Sequence, residues 1–392
     1  MVKEIAVSNG LAPVWTNPLY KGSFMQSRST TMRRVNFLVA FSIALLAAAT
    51  VCAPAQTAAP AVAPSSQAAE IPSPNSNRIS IDVGVNDKLG HHVGGLKQED
   101  FTLLDNNQRR NIIDFREIDP RSSTADPVHI VIVVDMINTG FEVVAREREQ
   151  LGEFLQQDGG RLAHPTSIAI FTEKGIQIEK GSTTDGNALL GVLNKASTDL
   201  RAIGRSAGFY GAAERLEWSL NQLGQLTAFE ATQPGRKLAF FISPGWALFP
   251  RAGIEATDKQ RKTTFSSIVE FTNGLRAAHL VLYTLDPFSL GRSNPFFYQT
   301  YLKGIPNANK AEYGDLALQV LAVHSGGTVQ TTGMDIKGEI NNAVRDANAY
   351  YTLTFDAPPA DHTDEYHDLH VQVNKPDTTV RSTSGYYSNV QH

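Results

Sequence analysis

The chain has 392 residues, a formal net charge of −4, 42% hydrophobic residues and 19% charged ones, which suits one large folded domain or two smaller ones. That charge leaves no excess for gripping a polyanion, so a nucleic-acid partner is excluded, and the hydrophobic share excludes disorder throughout. A single cysteine, Cys52, excludes an internal disulfide framework.

Residues before Met32 show no apolar periodicity and are expected to carry no structure. After Met32, Arg33 and Arg34 give a basic start, Val35 to Val51 an apolar run, and Ala53-Pro54-Ala55 the small residues of an A-x-A cleavage site, the pattern of a secretory signal. The alternative is a membrane anchor, for which a run of 17 residues stands at the bottom of the spanning range. A lipoprotein signal would use Cys52, but bulky Val51 stands where such signals carry a small residue. Residues 1–55 are therefore expected to be an extension and signal peptide, and 56–77, rich in Ala, Pro, Ser and Gln, a disordered linker. The implied home is periplasm, cell surface or medium, with membrane contact only through an uncleaved signal segment.

Residues 78–120 follow as short alternating segments, Ile79 to Val85, Phe101 to Leu104 and Asn111 to Ile118, broken by Gly, Asn and Asp turns. They read as antiparallel β, too small to bury much alone. Residues 350–390 alternate likewise, through Tyr351, Leu353 and Phe355, then Leu369, Val371 and Val373. Neither piece should be stable by itself, so the expectation is that they pair into one β module.

Between them, residues 127–349 change character. "VHIVIVVD" precedes a helical pattern from Glu142 to Gln157, "SIAIFTEKGIQIEKG" reads as a hairpin, and helices are expected at Asp185–Ala196 and Phe209–Ala228. The strand "RKLAFFIS", a helix at Thr263–Ala277, the strand "HLVLYTLD", a helix at Tyr313–His324, a short strand at Gly327–Thr331 and a helix at Ile336–Ala347 follow. Near-continuous apolar strands alternating with helices predict an α/β fold, doubly wound, with a mostly parallel sheet and helices on both faces. Any site is expected beyond the carboxyl ends of the central strands.

This order of elements, with "VGGLKQEDFTLLDNNQRRNIIDF", "IVVDMINT", "GFYGAAERL", "LAFFISPG", "LVLYTLDP" and "LHVQVNKPDTTVRSTSGYY" in succession, resembles the exported bacterial VWFA-related domain proteins. The resemblance implies a von Willebrand factor A-like domain. Such domains hold a divalent cation through an Asp-x-Ser-x-Ser turn, a Thr from a second loop and an Asp after the fourth strand, with hard oxygen ligands and one open position for a partner's carboxylate.

Asp135 matches the first ligand and Thr139 can supply the last hydroxyl, but Ile137 replaces the first serine. In the second loop Ala207 stands at the threonine, with Ser206 beside it, and Pro244 replaces the acid. The site is thus degenerate. The metal set reduces to Asp135, Thr139 and Ser206, sufficient at most for weakly bound Mg²⁺ or Mn²⁺, with no cofactor the leading expectation. Asp286 ends the fifth strand, roughly 10 Å from Asp135 if the fourth strand lies between them. The competing account of Asp135 is structural: with Asn138 and Thr139 it can hold a strand-to-helix turn.

"PGWALFP" and "SNPFFYQTYL" carry large apolar side chains in stretches expected to be loops at the same rim. Asn138, Ser243, Trp246, Phe249, Asp286, Phe296 and Phe297 are therefore the expected partner-binding rim, against the alternative that the aromatics pack inward. "DHTDEYHDLH" gathers His362, His367 and His370 among acids, but at no compact ligand spacing, and reads as a polar hairpin loop. No hydrolase, nucleotide or redox motif is present in the sequence. The expectation is an exported, non-catalytic protein-interaction module docking a protein partner. A metal-dependent adhesion domain and a hydrolase using Asp135 and Asp286 are the alternatives.

Overall fold

His129–Asp135 is buried from Ile130 onward, and a strand apolar on both faces must be covered on both. A computed structural model describes residues 77–119, 128–139, 141–179, 181–198, 208–246, 256–286, 294–330, 335–347 and 349–390. The expected signal segment, and the linker up to residue 76, lie outside the described residues. No described helix is long and apolar enough to cross a membrane.

The amino-terminal part gives β1 (Arg78–Asp87), β2 (Phe101–Asp105), β3 (Gln108–Arg110) and β4 (Ile112–Ile118). Then come β5 (His129–Asp135), α1 (Phe141–Leu155), β6 (Arg161–Thr172), β7 (Gly175–Ile178), β8 (Thr183–Asp185), α2 (Gly186–Thr198) and α3 (Gly208–Glu230). The central part continues with β9 (Lys237–Ile242), α4 (Asp258–Ala277), β10 (Leu280–Leu285), α5 (Leu318–His324), β11 (Val329–Gln330) and α6 (Ile336–Ala347). The chain closes with β12 (Tyr350–Asp356), β13 (Glu365–Val373), β14 (Thr378–Ser382) and β15 (Gly385–Ser388).

The fold is mixed α/β, with one mostly parallel sheet and two separate antiparallel sheets. The first runs β11-β10-β9-β5-β6-β7; β5, β6, β9, β10 and β11 are mutually parallel where paired, while β7 and β8 run antiparallel to β6. Strand side chains alternate between faces. Val131 and Val133 accordingly cluster with Leu216 and Leu223 of α3, Ile268 and Phe271 of α4, and Leu321 of α5. Ile130, Ile132 and Val134 cluster instead with Leu151 and Phe154 of α1, Leu189 of α2 and Ile340 of α6.

β6 begins at Arg161, ahead of the expected hairpin, and β8 is an added strand; two helices also depart from expectation. α4 begins at Asp258 rather than Thr263 because Thr257 and Gln260 form a capping box: Thr257 Oγ1 accepts from Gln260 N at 3.3 Å, and Thr257 N donates to Gln260 Oε1 at 2.9 Å. The helix expected at Tyr313–His324 is broken into a 3-10 turn, Tyr313–Leu316, and α5, with Ala317 extended between them. There Asp315 turns its carboxylate back onto Glu312 N at 2.7 Å, and Gly314 lies against the Tyr301 ring, where a Cβ would meet ring carbon at 2.2 Å.

The antiparallel sheets run β14-β1-β12-β4 and β15-β13-β2-β3, so each interleaves strands from the two ends of the chain. Their inner faces share one core of Ile81, Val83, Phe101, Leu103, Tyr351, Leu353, Phe355, Leu369, Val371 and Tyr386. Asp82 joins this part to the parallel sheet: its Oδ2 shares a hydrogen bond with His279 Nδ1 at 3.2 Å and lies 3.8 Å from Arg236 Nε. Burial would raise the Asp82 carboxyl, but the His279 hydrogen bond and the charges of His279 and Arg236 hold it below its ordinary value.

Within the β core, Asp105 is wholly buried. Its Oδ1 lies 2.8 Å from His367 Nδ1, and its Oδ2 accepts from Tyr386 Oη at 3.0 Å and Arg110 Nε at 3.2 Å. Burial opposes ionisation here too, but His367, Tyr386 and Arg110 outweigh it and keep the carboxyl low. Asp105→Ala should cost about 3 kcal/mol in urea denaturation, because it strands buried donors. The stabilisation from Asp105 should be present above the ordinary aspartate range and disappear as pH falls through the lowered folded value, a loss absent from the variant.

Candidate functional site

β5 delivers Asp135 to the carboxyl rim of the parallel sheet, next to β9 on one side and β6 on the other. The side chain is completely buried. Its Oδ1 accepts from the backbone N–H groups of Ile137 and Asn138, both at 3.0 Å, which is how an aspartate fixes the turn that follows it.

The remaining contacts come from farther side chains. Asn138 Nδ2 donates to Oδ2 at 2.9 Å and, more weakly, to Oδ1 at 3.3 Å, and also to Ser219 Oγ of α3 at 2.9 Å. Ser243 Oγ, just past β9, donates to Oδ2 at 2.7 Å and accepts from Gly245 N at 3.0 Å. Gly245 takes φ +83°, and a Cβ there would stand 2.4 Å from Gln319 Nε2, so the turn after β9 requires glycine.

Among the described residues Asp135 thus accepts five hydrogen bonds, all from neutral donors. A carboxylate offers about four lone-pair directions. Burial pushes its pKa up, and the hydrogen bonds from Ser243, Asn138 and Ile137 offset only part of that. A cation could bind this carboxylate only by displacing the Asn138 amide or the Ser243 hydroxyl.

The described residues do not suit a hard divalent ion. Ile137 points into the core on the α3/α4 face, Ser243 uses its proton on Asp135, and Thr139 is buried. Ser206, the third expected ligand, lies outside the described residues. Among the described residues no group of three or more His, Cys, Asp or Glu side chains is placed to share an ion. Asp286 is also buried at the rim, but β9 separates β10 from β5, two strand spacings or roughly 10 Å.

The expected aromatic rim is corrected in part. Trp246 is only 4% exposed and belongs to the core, because the Gly245 turn carries it back under the sheet's edge. Phe297 packs beside Tyr298, Ala317 and Val320. Phe296 is 51% exposed and remains available on the surface; Phe249 lies outside the described residues. Asn138 and Ser243, expected to face a partner, face Asp135 instead. The histidines of the carboxyl segment are separated as well: His367 points inward to Asp105, while His362 and His370 are exposed.

Ser219 had no part in the sequence reading. Its only signal is a serine on the core-facing side of α3 between Leu216 and Leu223, where it returns its own proton to Arg215 O at 2.8 Å.

No protein-family model matches the chain, and no curated protein matches it. Among solved structures, the pilus adhesin SpaC from Lactobacillus rhamnosus GG is similar at 8% identity and a TM-score of 0.33, over 73% of this chain and 48% of that one. The N-terminal domain of TFIIH p34 is similar at 12% identity and a TM-score of 0.20, over 41% of this chain and 81% of that one. The chain spans about half the length of the adhesin. Likenesses at this level carry no statement about activity.

Replacing Asp135 by alanine should cost roughly 2–3 kcal/mol, since two backbone N–H groups, the Asn138 amide and the Ser243 hydroxyl lose their acceptor. Because the folded pKa is raised, Asp135 stabilises most below the ordinary aspartate range, and that advantage is lost as pH climbs through the folded value. The stability difference between the native chain and Asp135→Asn, followed by denaturation across pH, should therefore shrink as pH rises.

Proposed function

We propose that the chain is an exported, non-catalytic protein-interaction module. In this reading the central part is a doubly wound domain of von Willebrand factor A type with a degenerate metal-ion-dependent adhesion site, carried on a β-sandwich assembled from residues 78–120 and 350–390. The observation that carries the reading is the closed shell of donors around Asp135. A carboxylate committed to holding a turn is poorly suited to ligating an ion or taking a proton from water.

Export rests on the basic and apolar leader of residues 33–55. Docking is assigned to the sheet's carboxyl rim, where binding surfaces of open α/β sheets gather. Among the described residues of the connection that leaves β10, Phe296 is the exposed aromatic, and such side chains anchor protein interfaces. Asn138 and Ser243 shape the rim from below by fixing the turns after β5 and β9.

A photo-crosslinking amino acid at position 296, in the chain expressed in its native host, should give a discrete adduct with a protein of the cell envelope. The same group at Leu89, 76% exposed on the β part, should not give it. Adduct yield should be unchanged by EDTA. No adduct at 296 would contradict docking at this rim, and loss with EDTA would favour a metal-dependent adhesion domain.

A further inference from the structure

The described sheets end in strands of unequal exposure. At β15 the edge is closed by Asn273 of α4, whose carboxamide donates to Tyr387 O at 2.8 Å and accepts from Tyr387 N at 3.0 Å, as a neighbouring strand would. The end of β14 is covered by the turn at Gly326, which lies against the Ser382 backbone. The edge strands β3, β7 and β11 are only three, four and two residues long. β4 is different: it is seven residues long and is the last strand of its sheet, and the neighbouring segment touches it only near its ends, where Gln98 Nε2 donates to Ile112 O at 2.8 Å and Gly95 N to Glu117 Oε1 at 2.9 Å among the described residues.

Its sequence, Ile112-Ile113-Asp114-Phe115-Arg116-Glu117-Ile118, has a symmetry that matters only if it meets itself. When two copies of an edge strand pair antiparallel about a two-fold axis, residues with outward-pointing backbone groups must face each other. The axis therefore passes through a residue position. Centred on Asp114, on Arg116 or on Glu117, the pairing sets like charges directly opposite, which is destabilising. Centred on Phe115, it sets Asp114 against Arg116 of the second copy and Arg116 against its Asp114, two favourable cross-strand pairs. This register works whether Phe115 or its two neighbours direct their backbone groups outward.

The side chains are free to make the exchange. Asp114 and Arg116 pair within the strand at 3.2 Å, but both are largely in water, at 52% and 65% exposure, so that local contact is weak. Ile113 is 40% exposed, one of four large hydrophobics left open among the described residues. It is the extra residue of a bulge, since Asp114 pairs with Thr354 and Ile112 with Phe355. In the Phe115 register it lies against the strand of the second copy, opposite Glu117.

We propose that β4 is a homodimerisation edge. Two copies of this chain pair antiparallel through Asp114–Arg116, centred on Phe115, and join their four-stranded sheets into one of eight strands. The occupant is a second copy because the charges select one self-complementary register and reject its neighbours. A pairing this short is a small interface, so the dimer is a weak one that forms at high concentration. The inference does not rest on the rim reading.

Sedimentation of the full chain tests it. The native protein should pass from monomer to dimer as concentration rises to about 100 μM. Arg116→Asp should weaken the dimer by at least about tenfold, because it faces like charges at both positions. Asp114→Arg combined with Arg116→Asp should restore it, since the reversed pairs again match. Both positions are exposed, so circular dichroism should show all variants folded. A native chain that stays monomeric, a dimer indifferent to Arg116→Asp, or a double variant that fails to recover would each overturn the proposal.

Discussion

A carboxylate buried at the top of a parallel sheet, with neutral donors as its hydrogen-bond partners among the described residues, is the constraint around which the rim is arranged. Asp135 is wholly inaccessible, and an ionised group there needs several donors to replace its water. The turn after β5 supplies two backbone N–H groups and an amide, and the turn after β9 supplies a hydroxyl. Ser219 of α3 then holds the Asn138 amide from the other side. Three elements distant in sequence are thereby fixed by one acid, which makes it a structural keystone and leaves it little capacity to bind a ligand.

The two ends of the chain obey a related constraint. β1 and β4 both pair with β12, and β2 pairs with β13, so neither end completes a four-stranded sheet without the other. The join to the central part is apolar where Tyr387 enters the core beside α4, and polar elsewhere: Asp82 meets His279 and Arg236, Asn273 meets the Tyr387 backbone, and His324 Nδ1 meets Ser384 Oγ. Arg236 also lies 4.6 Å over the Tyr350 ring and donates to Ala347 O. Directional contacts of this kind fix orientation, whereas an apolar face would tolerate sliding.

Much of this was legible in the residues. β5, β9 and β10 announce themselves as continuous apolar runs, and β13 shows its alternation. Elements went astray where a polar side chain bonds to backbone nearby: Asp315 onto Glu312 N ends a helix that periodicity would continue, and Thr257 with Gln260 begins one early. The site was half legible. Ile137 and Pro244 stand where a complete cation site would carry oxygen ligands, but residue type does not say which way a turn residue points, so Asn138 and Ser243 looked like surface groups. Trp246 misled for the same reason, because the left-handed Gly245 sets its direction. Asp105 and His367 come together only through pairing of strands over 260 positions apart, which no local pattern encodes.

The central claim, that Asp135 is committed to the chain's own donors, is tested most directly by calorimetric titration of the full chain with Mg²⁺, Mn²⁺ and Ca²⁺. Opening the Asn138 and Ser243 hydrogen bonds to admit an ion that also keeps few other protein ligands is unfavourable. The account predicts no heat beyond dilution for any of the three. Micromolar binding that disappears in a folded Asp135→Ala variant would contradict it.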